Sequence, residues 1–291
     1  MSGLLHDAIC DVVKQATGVV FQAHSFSSCQ GGCIHQSWIC SDGDRSFFVK
    51  SHDFEAEAMF TAEADGLRAM AEADALRTPK VIGQGTAAGQ SFLVLEALDL
   101  NGRPSSNSWS KMGDGLAALH RISGPSYGWD SDNFIGKTSQ ANRRCDSWAE
   151  FFVTQRLRPQ FDMAQTNGFS FPDTEGLMNW AADLLADHQP APSLLHGDLW
   201  SGNTGFDSSG EPAIFDPAAY HGDRETDLAF TEFFGGFAPE FYAAYRKASP
   251  LEPGYEQRRD LYNLYHVLNH ANLFGGGYAS QAQSMMRALT A

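Results

Sequence analysis

Short apolar runs separated by turn residues dominate the first hundred positions of the chain. Runs of this length bounded by Gly, Asp and Ser predict strands, and they cover residues 19–26, 34–40, 45–50, 81–85 and 91–96. Between the third and fourth runs, Met59, Phe60, Leu67 and Met70 recur at helical spacing within residues 54–73. The pattern predicts a small five-stranded antiparallel sheet with one long helix.

Beyond residues 101–104 the periodicity becomes mainly helical. Helices are predicted near residues 109–121, 146–166, 174–187, 223–234, 238–248, 255–273 and 279–289. Short strands are predicted near residues 194–195, 204–206 and 213–215. The fold class is therefore α+β, with an N-terminal lobe over residues 1–98, a C-terminal lobe over residues 99–291, and a ligand cleft between them.

Composition narrows the classes of partner. The formal net charge is −15 and the pI about 4.9, so phosphate backbones and anionic lipids are repelled and neither nucleic acid nor membrane is an expected partner. The cysteines are Cys10, Cys29, Cys33, Cys40 and Cys145. They form no C-x-x-C pair, which argues against zinc or a disulfide framework. We find no signal-peptide pattern, and we expect a cytoplasmic protein.

The stretch from Leu194 to Asn203 carries the clearest chemistry. Asp198 and Asn203 stand five residues apart in a loop after a short strand, and Asp216 ends the apolar run Ile214–Phe215. In phosphoryl transfer an Asp accepts the proton of the attacking hydroxyl, while an Asn and a second Asp hold Mg²⁺. A turn cap at Asp198 with a backbone-bonding Asn203 is the structural alternative, which the surrounding residues disfavour. His196 fits loop packing better than acid–base work.

The N-terminal region offers a matching cation. Lys50 ends an apolar strand and could reach the α- and β-phosphates if a carboxylate of the next helix holds it. Glu55, Glu57 and Glu63 are the candidates. Glu63 is preferred because it lies close to the Phe60 and Leu67 repeat, whereas the other two fit a solvated face.

Two further stretches are candidates for nucleotide contacts. Gly31, Gly32 and Cys33 lie between the first two predicted strands, where glycines allow close backbone approach to phosphate. A simple hairpin turn is the alternative, although the position upstream of Lys50 favours the phosphate loop. Glu96 and Leu98 close the small lobe, where their backbone could bond adenine.

An acidic segment opens the helix predicted at residues 223–234. Acidic side chains suit the first turn of a helix because they complement its dipole. We expect Asp227 to brace the catalytic loop, and Asp223 and Glu225 to face a cationic substrate.

These motifs together resemble the fructosamine kinase (ketosamine-3-kinase) family, a branch of the aminoglycoside-phosphotransferase-like kinases. The resemblance rests on residues 195–203, with Trp200-Ser201-Gly202 its most specific part, followed by 216–218. It continues through residues 32–34, 48–50, 60–63, 95–96, 116–120, 134–136, 148–158, 233–237 and 265–272. The chain departs from the family pattern at His35 and Gln36 and in a short stretch between residues 124 and 134.

The resemblance implies a bilobal protein-kinase-like fold that uses ATP and Mg²⁺. It implies a ketosamine substrate phosphorylated at the sugar O3, which would reverse protein glycation. Carried over by residue, Asp198 is the base, Asn203 and Asp216 bind metal, Lys50 and Glu63 position phosphates, and Trp200 borders the sugar pocket. Cys33 matches a phosphate-loop cysteine, so the chain is either a monomer or a redox-sensitive homodimer.

Two alternatives to a ketosamine kinase remain open at this stage. One is a sister kinase of the same fold that acts on an aminoglycoside, choline or homoserine. The other is a pseudokinase that binds nucleotide or protein without catalysis. That reading predicts the loss of Lys50, Asp198, Asn203 or Asp216, and all four are present.

Overall fold

A computed structural model describes residues 2–29, 36–53 and 56–290. Five of its strands form one antiparallel sheet in the order β1-β2-β3-β5-β4. They are Ser25–Ser28 (β1), Gln36–Ser41 (β2), Ser46–Asp53 (β3), Val81–Ala87 (β4) and Gln90–Glu96 (β5). The predicted glycine-rich loop of Gly31, Gly32 and Cys33 lies outside the described residues.

Helices cover both faces of this sheet. Helix α1 (Gly3–Thr17) packs Leu5, Ile9 and Val13 on the face formed by residues such as Phe92 and Val94. Helix α2 (Glu57–Ala73) packs Phe60 and Leu67 on the opposite face, which includes Leu93 and Leu95. Successive side chains of a strand point to opposite faces. The apolar run in β5 is therefore continuous because both of its faces are buried.

The predicted strands at residues 45–50, 81–85 and 91–96 are confirmed, and so is the strand at 34–40 from residue 36 onward. The strand predicted at 19–26 is wrong except at its end, because β1 begins at Ser25. Helix α1 is an element that the prediction lacks. Its boundaries are well marked in the structure: the side chain of Ser2 accepts a bond from the Leu5 amide, and Gly18 ends the helix with a φ of +70°.

The rest of the chain is mainly helical, and each predicted helical segment contains a helix. The helices are Ser106–Leu119 (α3), Trp148–Phe151 (α4), Arg158–Thr166 (α5), Thr174–Leu185 (α6), Glu225–Phe233 (α7), Pro239–Ala248 (α8), Tyr255–Phe274 (α9) and Gly277–Leu289 (α10). A π-helical segment, Phe152–Leu157, joins α4 to α5. These helices bury two large aromatic and aliphatic clusters. In the described part of the chain, no helix has both the length and the apolar character needed to cross a bilayer.

Three short two-stranded sheets carry the loops of the helical half. They pair Asn133–Ile135 (β6) with Thr138–Gln140 (β7), Ser193–Leu195 (β8) with Tyr220–Gly222 (β11), and Thr204–Phe206 (β9) with Pro212–Ile214 (β10). Strands β8 to β10 were predicted, whereas β6, β7 and β11 were not. The segment between β5 and α3 contains the predicted lobe boundary near residue 98.

Candidate active site

The loop after β8 presents Asp198 at the floor of a cavity. The amides of His196 and Gly197 donate to the two carboxylate oxygens of Asp227, at 2.7 and 2.8 Å. Gly197 has a φ of +81°, and a Cβ there would lie 2.1 Å from the Ala218 carbonyl oxygen. The turn therefore requires glycine. The expected bracing of this loop by Asp227 is present.

His196 has a structural environment. The buried ring bonds the Phe215 carbonyl through Nε2 at 2.9 Å, and its Nδ1 accepts the Asp198 amide at 3.3 Å. Burial lowers the pKa of His196, so the ring is neutral and Nε2 carries the proton. This geometry agrees with loop packing, the role favoured from the sequence.

Asp198 and Asn203 are brought into contact by a tight turn. A 3₁₀ segment, Ser201–Asn203, directs the side-chain amide nitrogen of Asn203 toward Asp198. This nitrogen donates to Asp198 Oδ2 at 3.0 Å and to the Asp198 backbone oxygen at 2.8 Å. Burial raises the pKa of Asp198 to about 7, against the bond from Asn203, and the nearby Asp216 and Asp227 charges add to the rise. Asp198, the candidate base, therefore exchanges its proton near neutral pH.

A buried lysine connects the sheet to the loop after β10. Lys50 is 4% exposed, and its Nζ donates to Glu63 Oε1 at 2.7 Å and to Asp216 Oδ1. Burial alone would lower the pKa of Lys50, but the charges of Asp216 and Glu63 outweigh it and raise the pKa above its ordinary value. Asp216 has a φ of +59°, a conformation that few non-glycine residues adopt. The structure therefore brings Lys50, Glu63 and Asp216 together.

One cavity of about 380 Å³ contains these groups. Lys50, Glu63, Asp198, Asn203, Asp216 and Trp200 all line it. The Trp200 ring is 36% exposed, and a Cβ on Gly202 would lie 2.3 Å from it, so the glycine leaves room for the indole.

Glu96 and Leu98 lie beside this arrangement rather than in the cavity lining. The Glu96 amide donates to the Lys80 carbonyl at 2.8 Å, and its carboxylate pairs with Arg77 at 3.2 Å. Leu98 is half-buried in the segment that follows β5.

Asp223 and Glu225 do not reach the cleft, and the expectation that they face a substrate is corrected. Asp223 is 1% exposed and accepts bonds from His188 at 2.7 Å and Tyr262 at 2.6 Å. Glu225, equally buried, accepts two bonds from Arg258 at 2.7 and 3.0 Å. The two carboxylates line a separate cavity of about 310 Å³ that shares no lining residue with the first.

The other residues that line the Asp198 cavity have no predicted role from the sequence. They include Asn133, Phe234, Asn269, His270, Phe274 and Tyr278. Several belong to segments of the family resemblance, at 233–237 and 265–272. That resemblance was the available signal, because none of these residue types marks a catalytic site by itself.

A lysine of the sheet, paired with a glutamate of the helix that packs on it, meets an Asp–Asn–Asp set from the helical half, and this arrangement defines the class of protein-kinase-like phosphotransferases. Within that class the sequence profile of the fructosamine kinase family matches residues 5–291, and the chain belongs to that family of ATP-dependent kinases. The family and the fold class expected from the sequence are thereby confirmed.

Named relatives agree with this assignment. A "probable ketoamine kinase" of Synechocystis sp. is 49% identical over 96% of this chain and 95% of its own length. A chloroplastic protein-ribulosamine 3-kinase of Arabidopsis thaliana is 40% identical over 92% of this chain and 83% of its own.

Solved structures agree as well. The crystal structure of a candidate fructosamine-3-kinase from Haemophilus somnus superposes with a TM-score of 0.93 at 32% identity, covering 99% of this chain and all of the other. An aminoglycoside phosphotransferase shares the fold alone, with a TM-score of 0.64 at 16% identity over 97% of both chains.

Proposed function

We propose that this protein transfers the γ-phosphoryl group of ATP to the O3 hydroxyl of a ketosamine. The observation that carries the proposal is the meeting of Asp198, Asn203, Asp216 and the Lys50–Glu63 pair in one cavity. The names of the relatives support the acceptor class, with ribulosamines as one member. In a ketosamine O3 is bound to the carbon next to the carbonyl carbon. Enolisation toward C1 therefore allows phosphate to leave C3, and hydrolysis of the resulting conjugated imine by water releases the amine.

In this proposal Asp198 orients the acceptor hydroxyl and takes its proton. Its pKa near 7 suits that task, because a base of this strength is unprotonated in part at neutral pH yet accepts a proton in the transition state. The bonds from Asn203 hold the carboxylate in place. The two amides bound to Asp227 fix the loop beneath it.

Asn203 and Asp216 would hold Mg²⁺. Amide and carboxylate oxygens are the hard ligands this ion prefers, and the Asn203 amide nitrogen already faces Asp198, which turns its oxygen away from that residue. When bound, the ion neutralises charge on the transferred phosphoryl group. Lys50, held by Glu63, would contact the nucleotide phosphates. The phosphate contacts of Gly31, Gly32 and Cys33 stay a prediction, because these residues lie outside the described part of the chain.

The adenine would lie against the segment at Glu96 and Leu98, between the lobes proposed at residues 1–98 and 99–291. Trp200 would border the sugar. A homodimer linked through Cys33 remains a prediction.

The proposal is tested by ATP consumption with ribuloselysine, fructoselysine, kanamycin, choline and buffer alone. We expect turnover on a ketosamine, a product phosphorylated at O3 by ³¹P and ¹³C NMR, and a loss of about 10²–10⁴ in kcat for Asp198→Asn. Turnover only on kanamycin or choline would show that the acceptor is an aminoglycoside or choline and not a ketosamine. Nucleotide binding without turnover on any acceptor would favour the pseudokinase.

A further inference from the structure

Helix α2 carries a buried glycine in its middle. Gly66 lies three residues after Glu63 and is one of the buried residues of this helix. Glycine in a helix interior is less favourable than alanine, because it loses more backbone freedom on folding and has no side chain to pack. A glycine at such a position is therefore expected where another part of the molecule occupies the space of a side chain.

The space beside Gly66 is occupied by the segment that follows Asp216. A Cβ on Gly66 would lie 3.1 Å from the Ala219 Cβ and 3.2 Å from the Pro217 Cγ. Both distances are shorter than the separation at which two carbon atoms attract each other best. The lack of a side chain at Gly66 thus allows α2, which packs on the sheet, to approach the helical half directly after Asp216.

Hydrogen bonds hold this segment on its other side. The Ala218 amide donates to the His196 carbonyl at 2.9 Å, and the Ala219 carbonyl accepts a bond from Asn133 at 2.7 Å. A retreat of the segment would break these buried bonds, each of which is costly to leave unmade. A larger side chain on the helix would therefore displace α2 more readily than the segment.

Displacement of α2 would act on Glu63. Residues three apart in a helix lie on the same face, so Glu63 and Gly66 face the same neighbours. Glu63 accepts a bond from Lys50 at 2.7 Å, and Lys50 also donates to Asp216. Two contacts thus join α2 to the loop of Asp216: the ion pairs through Lys50 and the carbon contact at Gly66.

We propose that Gly66 is a positioning residue for nucleotide binding. Its contact with Pro217 and Ala219 sets the distance between α2 and the loop of Asp216, which keeps both Glu63 and Asp216 within bonding distance of Lys50. The assignment rests on the proposed function, in which Lys50 contacts the nucleotide phosphates and Asp216 holds the metal ion. It adds a residue that contacts neither the nucleotide nor the acceptor.

The binding test moves one methyl group across this contact. The variants are Gly66→Ala, Ala219→Gly and the two together, with Gly66→Val as a larger step. Gly3→Ala is the control, because an added Cβ there has no atom within 4 Å. Isothermal titration calorimetry with MgAMP-PNP gives the Kd of each protein, and urea unfolding gives its stability.

We expect Gly66→Ala to raise the Kd for MgAMP-PNP about threefold and Gly66→Val about tenfold, because each moves Glu63 away from Lys50. In the double variant the Kd should return to within about twofold of that of Ala219→Gly alone. The KM for MgATP should follow the Kd, with the KM for the ketosamine unchanged. Alanine favours the helix over glycine, so a role in folding alone predicts equal or greater stability for Gly66→Ala and an unchanged Kd.

The outcomes separate this assignment from the proposed function. A Kd of wild-type size in Gly66→Ala, or a double variant that binds no more tightly than Gly66→Ala, overturns the role of Gly66 and leaves the proposed function standing. Wild-type protein that does not bind MgAMP-PNP overturns both. Nucleotide binding without turnover on a ketosamine overturns the acceptor alone, and the Kd values of the variants then still decide the role of Gly66.

Discussion

Asp227 is a buried carboxylate that accepts three hydrogen bonds: from the amides of His196 and Gly197 and from the His120 ring at 3.1 Å. Burial alone would raise the pKa of Asp227, but the His120 bond and charge, with the amides, hold it below its ordinary value. The residue therefore stays ionised and orients the two peptide groups that precede Asp198.

Asp227→Asn should separate positioning from substrate binding. The side chain of asparagine has one acceptor oxygen, and its NH₂ group would face a hydrogen-bond donor. One buried backbone amide would then lack a partner, which costs about 1–3 kcal/mol of stability. We expect kcat to fall about 10–100-fold with little change in the KM for ATP, measured by steady-state kinetics. Asp114→Asn, at an exposed position of α3, is the control. Unchanged kcat in Asp227→Asn would show that the loop holds Asp198 without this carboxylate.

Glu225 gives a direct test of the corrected assignment. Glu225→Gln removes the charge that pairs with the buried Arg258, and breaking such a pair costs about 3–5 kcal/mol. Urea unfolding should show this loss, with the KM for the ketosamine unchanged in the folded protein. The double variant Glu225→Leu with Arg258→Met should recover part of the stability. A raised KM with unchanged stability would instead return Glu225 to the substrate site.

The contrast between Lys50 and Glu225 shows what a sequence can specify about a site. Glu63 could be matched to Lys50 because only 13 residues separate them, and they lie on a strand and the helix that follows it. Asp223 and Glu225 were misplaced because their partners lie 33–39 residues away, at His188, Tyr262 and Arg258. An acidic residue in the first turn of a helix gives the same sequence pattern whether its side chain faces solvent or pairs with a buried arginine.

At the scale of elements, the β6–β7 hairpin supports the loop that follows Asp216. The Asn133 amide donates to the Ala219 carbonyl at 2.7 Å, and the Gln140 amide donates to Ala218 at 3.2 Å and to Asn133 at 2.8 Å. Tyr265 of α9 donates to the Gln140 oxygen at 2.7 Å. The hairpin thus connects the segment after Asp216 to the long helix α9.

Gln140→Leu should loosen this support. The change leaves the Tyr265 hydroxyl and the Ala218 carbonyl without a partner from Gln140, which costs about 2 kcal/mol of stability. Because Asp216 directly precedes this loop, the KM for MgATP should rise and kcat should fall, each about threefold to tenfold. Ser139→Ala changes an exposed neighbour in the same strand and serves as the control. A loss of stability without a change in kcat or KM would show that these hydrogen bonds stabilise the fold and do not affect the reaction.

Elements with strong periodicity could be predicted, and those without it could not. The helices after residue 105 bury regular apolar stripes and were anticipated. Helix α1 was missed, although β5 held a sign of it: five consecutive buried residues require a covering layer on each face of the sheet. Strands β8 to β10 are as short as the missed strands, with three residues each. Apolar neighbours such as Leu194–Leu195 and Ala213–Ile214 marked β8 and β10, whereas β7 (Thr138–Gln140) and β11 (Tyr220–Gly222) have no such pair. The aromatic rings of the Asp198 cavity come together only through tertiary contacts between the loop at Trp200, the end of α7, helix α9 and helix α10.

Considered as a whole molecule, the protein should lose stability in mild acid through His266. The ring is 4% exposed and stacks on Phe230, with centroids 3.6 Å apart. Burial, with the neighbouring His270, lowers the pKa of His266 to about 3 from 6.5. Between these values the unfolded chain binds a proton that the folded chain does not, so stability decreases as pH falls.

Urea unfolding at pH 7.5 and pH 5 measures this effect. At pH 5 the His266 contribution should be about 2 kcal/mol less favourable than at pH 7.5. His266→Phe preserves the stacking and should reduce the difference between the two pH values by about that amount. His24→Gln, at an exposed position, should not. An equal difference in His266→Phe and wild type would assign the acid sensitivity to other groups.

Backbone hydrogen bonds join the sheet and helical halves of the chain close to Asp216. The Ile214 amide donates to the Arg77 carbonyl at 2.9 Å, and the Gly102 amide donates to the Phe206 carbonyl at 2.9 Å. Arg77 also forms a β-bridge with Ala213, three residues before Asp216. Bonds at this position would act as a pivot. Rotation of one half against the other would move the edge at β1 and β2 through a wide arc and Asp216 through a short one. In the proposed function, nucleotide would therefore enter at the edge that moves most, while Asp216, the proposed metal ligand, would stay nearly in place.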